Sequence, residues 1–331
     1  TPVLERALKK AGLLKWKHQK PRLRQGFGGQ AKIDIIAVTN GPGLEPALWT
    51  GINFAKALAI EWNKPLIAIN HMEGHIASVL LKQNRGNPKS ETRNSKQYLN
   101  SKSKIQNIKF PAIALLVSGG HTQLVLIKNW LDYKIIGETL DDAAGEAFDK
   151  VARMLGLGYP GGPAISQLAE KWEKQETRNK KQTKDNIQLP RPMLNSQDFN
   201  FSFSGLKTAA LYKIKELSKV KPLNENLKAE IAREFQQAVI DVLLKKTIKA
   251  AKNFKTKTII LGGGVAANKE LRKQFKFSIK KQFPDIQFLL PELKFTGDNA
   301  AMIALAAYFR AKQKEFADLS KLKADGNLKL C

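Results

Sequence analysis

Short apolar runs alternate with amphipathic stretches through the first part of the chain, in the order strand, helix, strand, helix. The runs at residues 33–38 and 66–69 are short and rich in isoleucine, which predicts two buried strands. Between them, residues 47–62 repeat apolar side chains at helical spacing, and this pattern predicts an amphipathic helix. The order of these elements is typical of an α/β lobe.

The alternation continues to the end of the chain. Residues 111–117 and 122–127 are two apolar runs joined by a short loop, which predicts a β-hairpin. Several later stretches repeat apolar residues at helical spacing, and one more apolar run predicts a strand. The predicted helices cover residues 143–155, 164–172, 228–250 and a stretch that ends near Lys312, and the predicted strand covers residues 258–261.

The run Asn70-His71-Met72-Glu73-Gly74-His75 follows the second predicted strand and begins a helical pattern. At a spacing of four residues, His71 and His75 share one helix face with their Cβ atoms about 5–6 Å apart. Two imidazoles at that distance can bind one divalent metal, each nitrogen about 2.0–2.1 Å from it. The alternative is a pair of solvated or capping histidines, and the residues alone leave both interpretations open.

This histidine pair differs from the metal-binding helix of zinc proteases. The sequence His-Glu-x-x-His needs its glutamate directly after the first histidine, where this chain has Met72. Glu73 lies about 200° around the helix from His71, which is a poor position for a general base. The pattern therefore disfavours protease chemistry, but it does not disfavour metal binding.

Two glycine-containing loops follow apolar runs and suit anions. Ser118-Gly119-Gly120 joins the strands of the predicted hairpin, where backbone N–H groups and the Ser118 hydroxyl can face a phosphate. An ordinary tight turn explains the same loop equally well. The run 262–268, Gly-Gly-Gly-Val-Ala-Ala-Asn, lies between a predicted strand and a helix, a junction that favours a nucleotide. It is not a P-loop, because no Gly-Lys-Ser/Thr follows.

Two aspartates have an ordinary and a functional interpretation. Asp149 lies on the predicted helix 143–155, where its carboxylate either binds a substrate hydroxyl or faces solvent. Asp298 directly precedes the last predicted helix, and its position is typical of an N-cap. Local pattern favours the ordinary role for both residues.

The length of 331 residues is enough to bury a sizeable core in two lobes or domains. No apolar run is long enough to span a membrane. The only cysteine, Cys331, is the last residue, which is typical of a protein from a reducing compartment. The chain begins at Thr1 rather than methionine, and residues 2–14 have the pattern of a helix inside a domain. We therefore expect the true N-terminus to be missing.

The formal net charge is +27, which favours a polyanionic partner such as RNA. Residues 1–30, 82–106 and 174–188 together supply 16 of these charges. The second and third stretches are low in complexity, and such stretches are typical of disordered insertions. The charge therefore indicates RNA binding less strongly than its total suggests.

Seven segments together resemble one family in their order and approximate spacing, the tRNA adenosine threonylcarbamoyltransferases, once described as glycoprotein endopeptidases. The resemblance covers most of the chain outside the three basic stretches. The matching segments are residues 70–75, 116–121, 145–150, 159–163, 201–208, 262–268 and 296–303.

The resemblance implies an α/β chain with the two-lobed actin/hexokinase-like fold around a nucleotide cleft. It implies a first lobe formed by residues 1–110 and 299–331, and a second lobe formed by residues 111–298. The family opens with a strand and a Glu-Thr-Ser-Cys-Asp-Glu-Thr loop at the phosphates, which this chain lacks. We therefore expect the first lobe to be incomplete at its N-terminus, and the activity of the 331-residue chain is left open.

The resemblance also assigns site residues. His71, His75 and Asp298 are implied to bind one divalent metal, with iron(II) expected and zinc as the alternative, and this replaces the capping role of Asp298. No residue is assigned as the general base, and His121 is a candidate by position only. The implied substrate-binding residues are Leu116, Val117, Ser118, Gly119, Gly120, Asp149, Gly162 and Asn268.

The implied activity is an acyl transfer in tRNA modification. The threonylcarbamoyl group of threonylcarbamoyl-adenylate passes to the exocyclic amine of the adenosine next to the anticodon (position 37), and AMP is released. The substrates are tRNAs that read codons beginning with A, and the family acts with accessory subunits in the cytoplasm, without a membrane. The competing interpretation is a non-catalytic, nucleotide-binding regulatory protein of the same fold.

Overall fold

The computed structural model of the chain describes residues 33–81, 108–178, 187–220 and 222–330, without the side chains of residues 174–178. Its strands are β1 (Ile36–Gly41), β2 (Leu66–Asn70), β3 (Ala112–Val117), β4 (Thr122–Asn129), β5 (Asp132–Glu138), β6 (Thr258–Gly262) and β7 (Gln287–Leu289). Its α-helices are α1 (Glu45–Glu61), α2 (His71–Ala77), α3 (Ala144–Met154), α4 (Gly161–Arg178), α5 (Ser204–Val220), α6 (Glu225–Asn253), α7 (Lys269–Gln282) and α8 (Ala300–Lys312). Short 3-10 helices cover Ser78–Leu80, Gly264–Ala267 and Leu293–Phe295.

The strands form two sheets, and the chain is therefore a mixed α/β protein as predicted. Strands β1 and β2 pair in parallel, with Ile36 opposite Leu66. The other five strands are ordered β5-β4-β3-β6-β7, with β6 parallel to β3 and β4 antiparallel to it. The predicted strand at residues 33–38 is wrong at its start, because pairing with β2 begins only at Ile36.

Strand β3 is buried on both faces and lies at the centre of the larger sheet. Its alternate residues Ile113 and Leu115 pack into a core formed with the helices on one face. Ala114 and Leu116 pack on the other face against Met72 of α2 and its neighbours. Burying one such large aliphatic side chain is worth about 1.5–3 kcal/mol. The histidine-bearing helix α2 is therefore held against the larger sheet, although it follows a strand of the smaller one.

The smaller sheet lies between two helices. Alternate residues of β2 point to opposite faces, so that Leu66 packs with α1 while Ile67 packs with α8. Ile52 of α1 and Met302 of α8 are almost completely buried in these contacts. The last helix of the chain is thus packed beside the strand that leads into α2.

The predicted insertion at residues 174–188 is wrong at both ends. Helix α4 continues to Arg178, and Ile187 is buried in the larger core. This stretch is mostly polar and charged, so its composition does not indicate that Ile187 is buried. The predicted helix at residues 2–14, the basic stretch 82–106 and Cys331 lie outside the described residues.

The division into residues 1–110 with 299–331, and 111–298, stays a prediction. Strands β1 and β2 fall in the first part and strands β3 to β7 in the second. Among the described helices, none combines the length and the apolar character that crossing a membrane requires.

Candidate metal and substrate site

Helix α2 begins at the residue after the end of β2, and Asn70 joins the two elements. The Asn70 backbone is extended, and its side-chain oxygen accepts a hydrogen bond from the Met72 N–H at 2.9 Å. Buried Met72 anchors the helix in the core, and the spacing of four residues then places His71 and His75 side by side. Their ring centroids are 4.9 Å apart with planes 80° apart. The predicted strand-to-helix transition and shared helix face are confirmed.

Asp298 approaches both histidines from the other end of the chain. Its Oδ1 atom lies 3.1 Å from Nε2 of His71 and 3.3 Å from Nε2 of His75. Asn299, not Asp298, caps α8, since the Asn299 side-chain oxygen accepts a hydrogen bond from the Met302 N–H at 2.9 Å. The capping role that local pattern favoured for Asp298 is therefore wrong, and the neighbouring asparagine leaves the Asp298 carboxylate for the histidines.

The electrostatics of this triad favour a charged carboxylate on Asp298. Hydrogen bonds from His71, and then from His75, lower the pKa of Asp298 far below its usual range. Burial lowers the pKa of nearby His121, and the two histidines of α2 lower it further. An ionised carboxylate is the form that binds a metal.

The three residues fit a divalent metal ion. With bonds of about 2.0–2.1 Å, neighbouring ligand atoms in tetrahedral or octahedral geometry lie roughly 3.0–3.4 Å apart, and the two N–O distances fall in this interval. All three ligand atoms lie within 4.8 Å of one another. Two imidazoles and one carboxylate suit iron(II), zinc or manganese. The Asp298 side chain is 74% exposed, which leaves access for a further ligand.

A cavity of about 740 Å³ opens beside His71 and Asp298. Its volume falls in the range of small-molecule sites, roughly 300–1,000 Å³. None of the eight predicted substrate-binding residues lines it. Its other lining residues come from the start of the described chain and from α8, and they are Asp34, Ile35, Ala37, Thr39, Asn299, Ala300, Met302, Ile303, Ala304, Ala307, Tyr308 and Ala311.

The Ser-Gly-Gly loop lies between β3 and β4 and is tied at its base. Ser118 donates its N–H to the His121 carbonyl at 2.8 Å, and its hydroxyl oxygen accepts the His121 N–H at 3.1 Å. A Cβ atom on Gly119 or Gly120 would meet nothing within 4 Å, so packing does not require these glycines. A ligand can approach the backbone of a turn closely where no side chain fills the space in front of it.

Leu116 and Val117, which precede this loop, are completely buried within β3. Their side chains pack in the protein core, so a substrate can reach only main-chain atoms at these two positions. Their predicted binding role stays a prediction.

The glycine junction after β6 packs against both of the other motifs. A Cβ atom on Gly263 would lie 2.3 Å from the Val117 carbonyl oxygen, and one on Gly262 would lie 3.1 Å from that of His75. The end of β3, the histidine helix and this junction therefore converge at one place, although the junction follows the other two by more than 140 residues along the chain.

Replacing Gly263 by alanine is expected to destabilise the protein by at least about 2 kcal/mol, since the residue has a φ of +89° and no room for a Cβ. Gly264→Ala is the matched control, because a Cβ there would meet nothing within 4 Å. The control should change stability by less than about 1 kcal/mol. The free energy of unfolding in urea measures both, and equal values for the two variants would contradict this account of the junction.

The remaining predicted substrate residues have structural partners. Asp149 accepts a hydrogen bond from the Gly161 N–H at 2.7 Å and so connects α3 to the start of α4. Gly162 beside it has open space where a Cβ would stand. Asn268 caps α7 through the Leu271 N–H and donates to the Gln236 side chain at 2.7 Å. Their binding roles stay predictions.

Two aspartates that sequence reasoning missed hold the 201–208 segment in place. Asp141 accepts hydrogen bonds from the hydroxyls of Ser202 and Ser204, both at 2.6 Å. Burial acts to raise the pKa of Asp141, but these hydrogen bonds and those from backbone N–H groups together lower it. Asp142 pairs with Lys207 at 2.8 Å and with Lys150 at 3.0 Å. In the sequence, the feature that could have indicated these two residues is their adjacent position just before the predicted helix 143–155.

The known proteins that this chain resembles in sequence over most of its length share one description. The family model described as "TsaD: tRNA N6-adenosine threonylcarbamoyltransferase" matches residues 28–91 and 94–305. The enzyme of that name from Thermosipho africanus is 46% identical over 300 residues, covering 90% of this chain and 79% of the relative. The one from Thermosipho melanesiensis is 48% identical over 276 residues, with 83% and 72% covered. The one from Syntrophomonas wolfei is 45% identical over 288 residues, with 87% and 74% covered.

Solved structures of HypF share the fold at low sequence identity. HypF from T. kodakarensis aligns with a TM-score of 0.51 and 14% identity, over 84% of this chain and 41% of HypF. Full-length HypF in its phosphate- and nucleotide-bound form aligns with a TM-score of 0.56 and 11% identity, over 86% of this chain and 40% of HypF. The likeness thus concerns about two-fifths of HypF, and at this identity it shows the fold alone.

Proposed function

Because the chain belongs to the tRNA N6-adenosine threonylcarbamoyltransferase family, we propose that it modifies the adenosine next to the anticodon (position 37) of tRNAs that read codons beginning with A. The adenosine's exocyclic amine attacks the carbamoyl carbonyl of threonylcarbamoyl-adenylate. A C–N bond forms, the C–O bond to the phosphate breaks, the amine loses a proton and AMP leaves. The convergence of the His71–His75–Asp298 triad with two glycine loops carries this proposal.

In this proposal, separate groups of the protein bind the metal ion and the phosphate. His71, His75 and Asp298 hold one divalent ion, which we take to be iron(II), with zinc as the alternative. When bound, such an ion supplies Lewis-acid polarisation of an oxygen. The Ser118 hydroxyl and the N–H groups of Gly119 and Gly120 bind the phosphate that becomes the leaving group.

The adenosine of the adenylate is assigned to three of the remaining predicted substrate-binding residues. We propose that Asn268 binds the adenosine, while Asp149 and Gly162 contact its sugar. Leu116 and Val117 complete the site through main-chain atoms. The packing of Gly263 against Val117 and of Gly262 against His75 supports the assignment of Asn268, which ends the same glycine junction.

The proposed architecture is actin/hexokinase-like, with the lobes divided at residues 110/111 and 298/299. Under this proposal Asp298 lies at the division between the lobes, and it reaches the histidines of the first. tRNA, threonylcarbamoyl-adenylate and accessory subunits are the proposed partners, in the cytoplasm. A non-catalytic regulator of the same fold would not need the three metal ligands to converge, so the transferase is the better explanation.

The direct test is transfer of labelled threonine to tRNA. The full-length protein is given the family's accessory subunits, ATP, bicarbonate, labelled threonine and a tRNA that reads a codon beginning with A. Label is expected on that tRNA, and the same tRNA with guanosine in place of the target adenosine is expected to stay unlabelled. If neither tRNA is labelled, the transferase proposal is wrong and the non-catalytic interpretation replaces it.

A further inference from the structure

Helix α2 carries two of the metal ligands, and helix α8, which begins two residues after the third, is in close contact with α2 at Gly74. A Cβ atom on Gly74 would lie 2.8 Å from Cδ1 of Ile303 and 3.1 Å from Cγ of Met302. The two helices therefore touch without room for a side chain between them. On one side of this contact, Asp298, just before α8, meets the two histidines.

A second connection joins the same helices on the other side of the contact. Near the end of α8, Nε of Arg310 lies 2.9 Å from Oε2 of Glu73, and Nη1 of Arg310 lies 2.5 Å from Oε2 of Glu315. Glu73 is only 2% exposed. Because it lies about 200° around the helix from His71, its carboxylate points away from the metal ligands.

This buried ion pair depends on both partners. The Glu73 side chain is 2% exposed, whereas that of Arg310 is 21% exposed. Removing Arg310 leaves the buried carboxylate of Glu73 without its cation, which is strongly unfavourable for the arrangement that buries it, and removing Glu73 leaves Arg310 paired with Glu315 alone. The pair therefore holds the end of α8 against α2.

The contact at Gly74 alone is a pivot and does not determine the position of Asp298. Asp298 precedes Met302 and Ile303 by four to five residues, of which Asp298 and the extended Asn299 lie outside the helix, so the distance is roughly 7–10 Å. A tilt of α8 by about 10° around the pivot would move Asp298 by roughly 1–2 Å. Metal–ligand distances, in contrast, must lie within roughly 0.2 Å of their ideal values.

We propose that Glu73 and Arg310 are positioning residues, which hold α8 against α2 so that Asp298 meets His71 and His75 at metal-binding distance. The inference rests on the proposed metal site and extends it to a pair of residues that contact no ligand atom. Outer groups that orient metal ligands typically contribute a factor of roughly 10–100 to metal affinity. This gives the glutamate between the two histidines a role other than protease catalysis.

The test is titration of the metal-free protein with Co(II), followed by the visible absorption of the bound ion. Glu73→Gln and Arg310→Gln are each expected to weaken Co(II) binding roughly 10–100-fold while one ion still binds. Arg310→Lys, which keeps a positive charge near Glu73, should recover part of the affinity. Glu73→Gln combined with Arg310→Gln should be no weaker than either single variant by more than about threefold, because both remove the same connection.

Arg191→Gln is the matched control for loss of a partly buried arginine. Arg191 also bridges two carboxylates, those of Glu234 and Asp241, and its exposure of 22% is close to the 21% of Arg310. It lies on the segment before α5 and contacts α6, so the control should change Co(II) affinity less than about twofold. A loss in Arg191→Gln equal to that in Arg310→Gln would show general destabilisation and overturn the proposal.

The remaining outcomes separate this inference from its premise. If Glu73→Gln does not fold, Glu73→Asp is used instead, since it keeps the charge but withdraws it from Arg310, and about fivefold weaker binding is expected. Wild-type affinity in a folded Glu73 variant overturns the positioning role and leaves the metal site intact. Wild-type protein that binds no Co(II), or His71→Ala that binds it unchanged, overturns the metal site itself and the inference with it.

Discussion

Replacing His71 and His75 together by alanine is expected to abolish stoichiometric metal binding without unfolding the protein. Only Asp298 of the triad remains, and one carboxylate does not hold a transition-metal ion at the affinity of three ligands. Helix α2 should persist, because the Asn70 cap and buried Met72 do not depend on the imidazoles. The loss of buried His75 should cost about 1–3 kcal/mol of stability.

Elemental analysis of the purified variant gives the metal content, and circular dichroism checks that the fold is retained. His121→Ala is the control, since this histidine is near the pair but is not among the three residues whose ligand atoms converge. It should keep its metal. A folded double variant with wild-type metal content would end the proposal that these residues form the site.

Asp298→Ala is expected to reduce threonine transfer to tRNA at least about hundredfold, because it removes the ligand that connects α8 to the histidines. Asp285→Ala is the matched control, since this carboxylate is exposed in the turn between α7 and β7. It should retain wild-type activity. Equal activity of the two variants would show that the carboxylate of Asp298 has no part in the reaction.

Asn268 should affect the same reaction in a different way. If its side chain binds the adenosine, Asn268→Asp should raise the KM for threonylcarbamoyl-adenylate while kcat changes little. This variant keeps the oxygen that caps α7 and loses the amide donor to Gln236. Asn268→Ala also loses the cap, at a cost of about 1 kcal/mol. An unchanged KM in Asn268→Asp would restrict Asn268 to its structural role.

Some features of the site could be predicted from short stretches of sequence. The start of α2, the shared face of His71 and His75 and the buried strand β3 depend on contacts within about ten residues, and periodicity reports such contacts well. The short strand β7 and the edge strand β5 were missed. β5 exposes alternate residues such as Asp132 and Lys134, and β7 has only three residues, so neither shows a clear apolar run.

The role of Asp298 could not be predicted from the local sequence pattern. Its own neighbourhood indicates an N-cap, and the metal-binding role came from resemblance to a family, not from residues near it. The structure shows why local pattern was wrong here: Asn299 already supplies the capping oxygen. Two polar residues that can both cap compete for one position, and the sequence does not state which of them the fold will use.

By itself, then, the sequence determined the α/β class, the main helices and strands, and the motifs that belong to one family. Only the tertiary structure decided that Asp298 meets the histidines across 227 residues, and that Arg310 pairs with Glu73 across 237. Such pairs can form only where α8 packs against α2, and this packing depends on the whole core. Periodicity encodes which face of a helix is buried, but it does not encode which distant helix will cover that face.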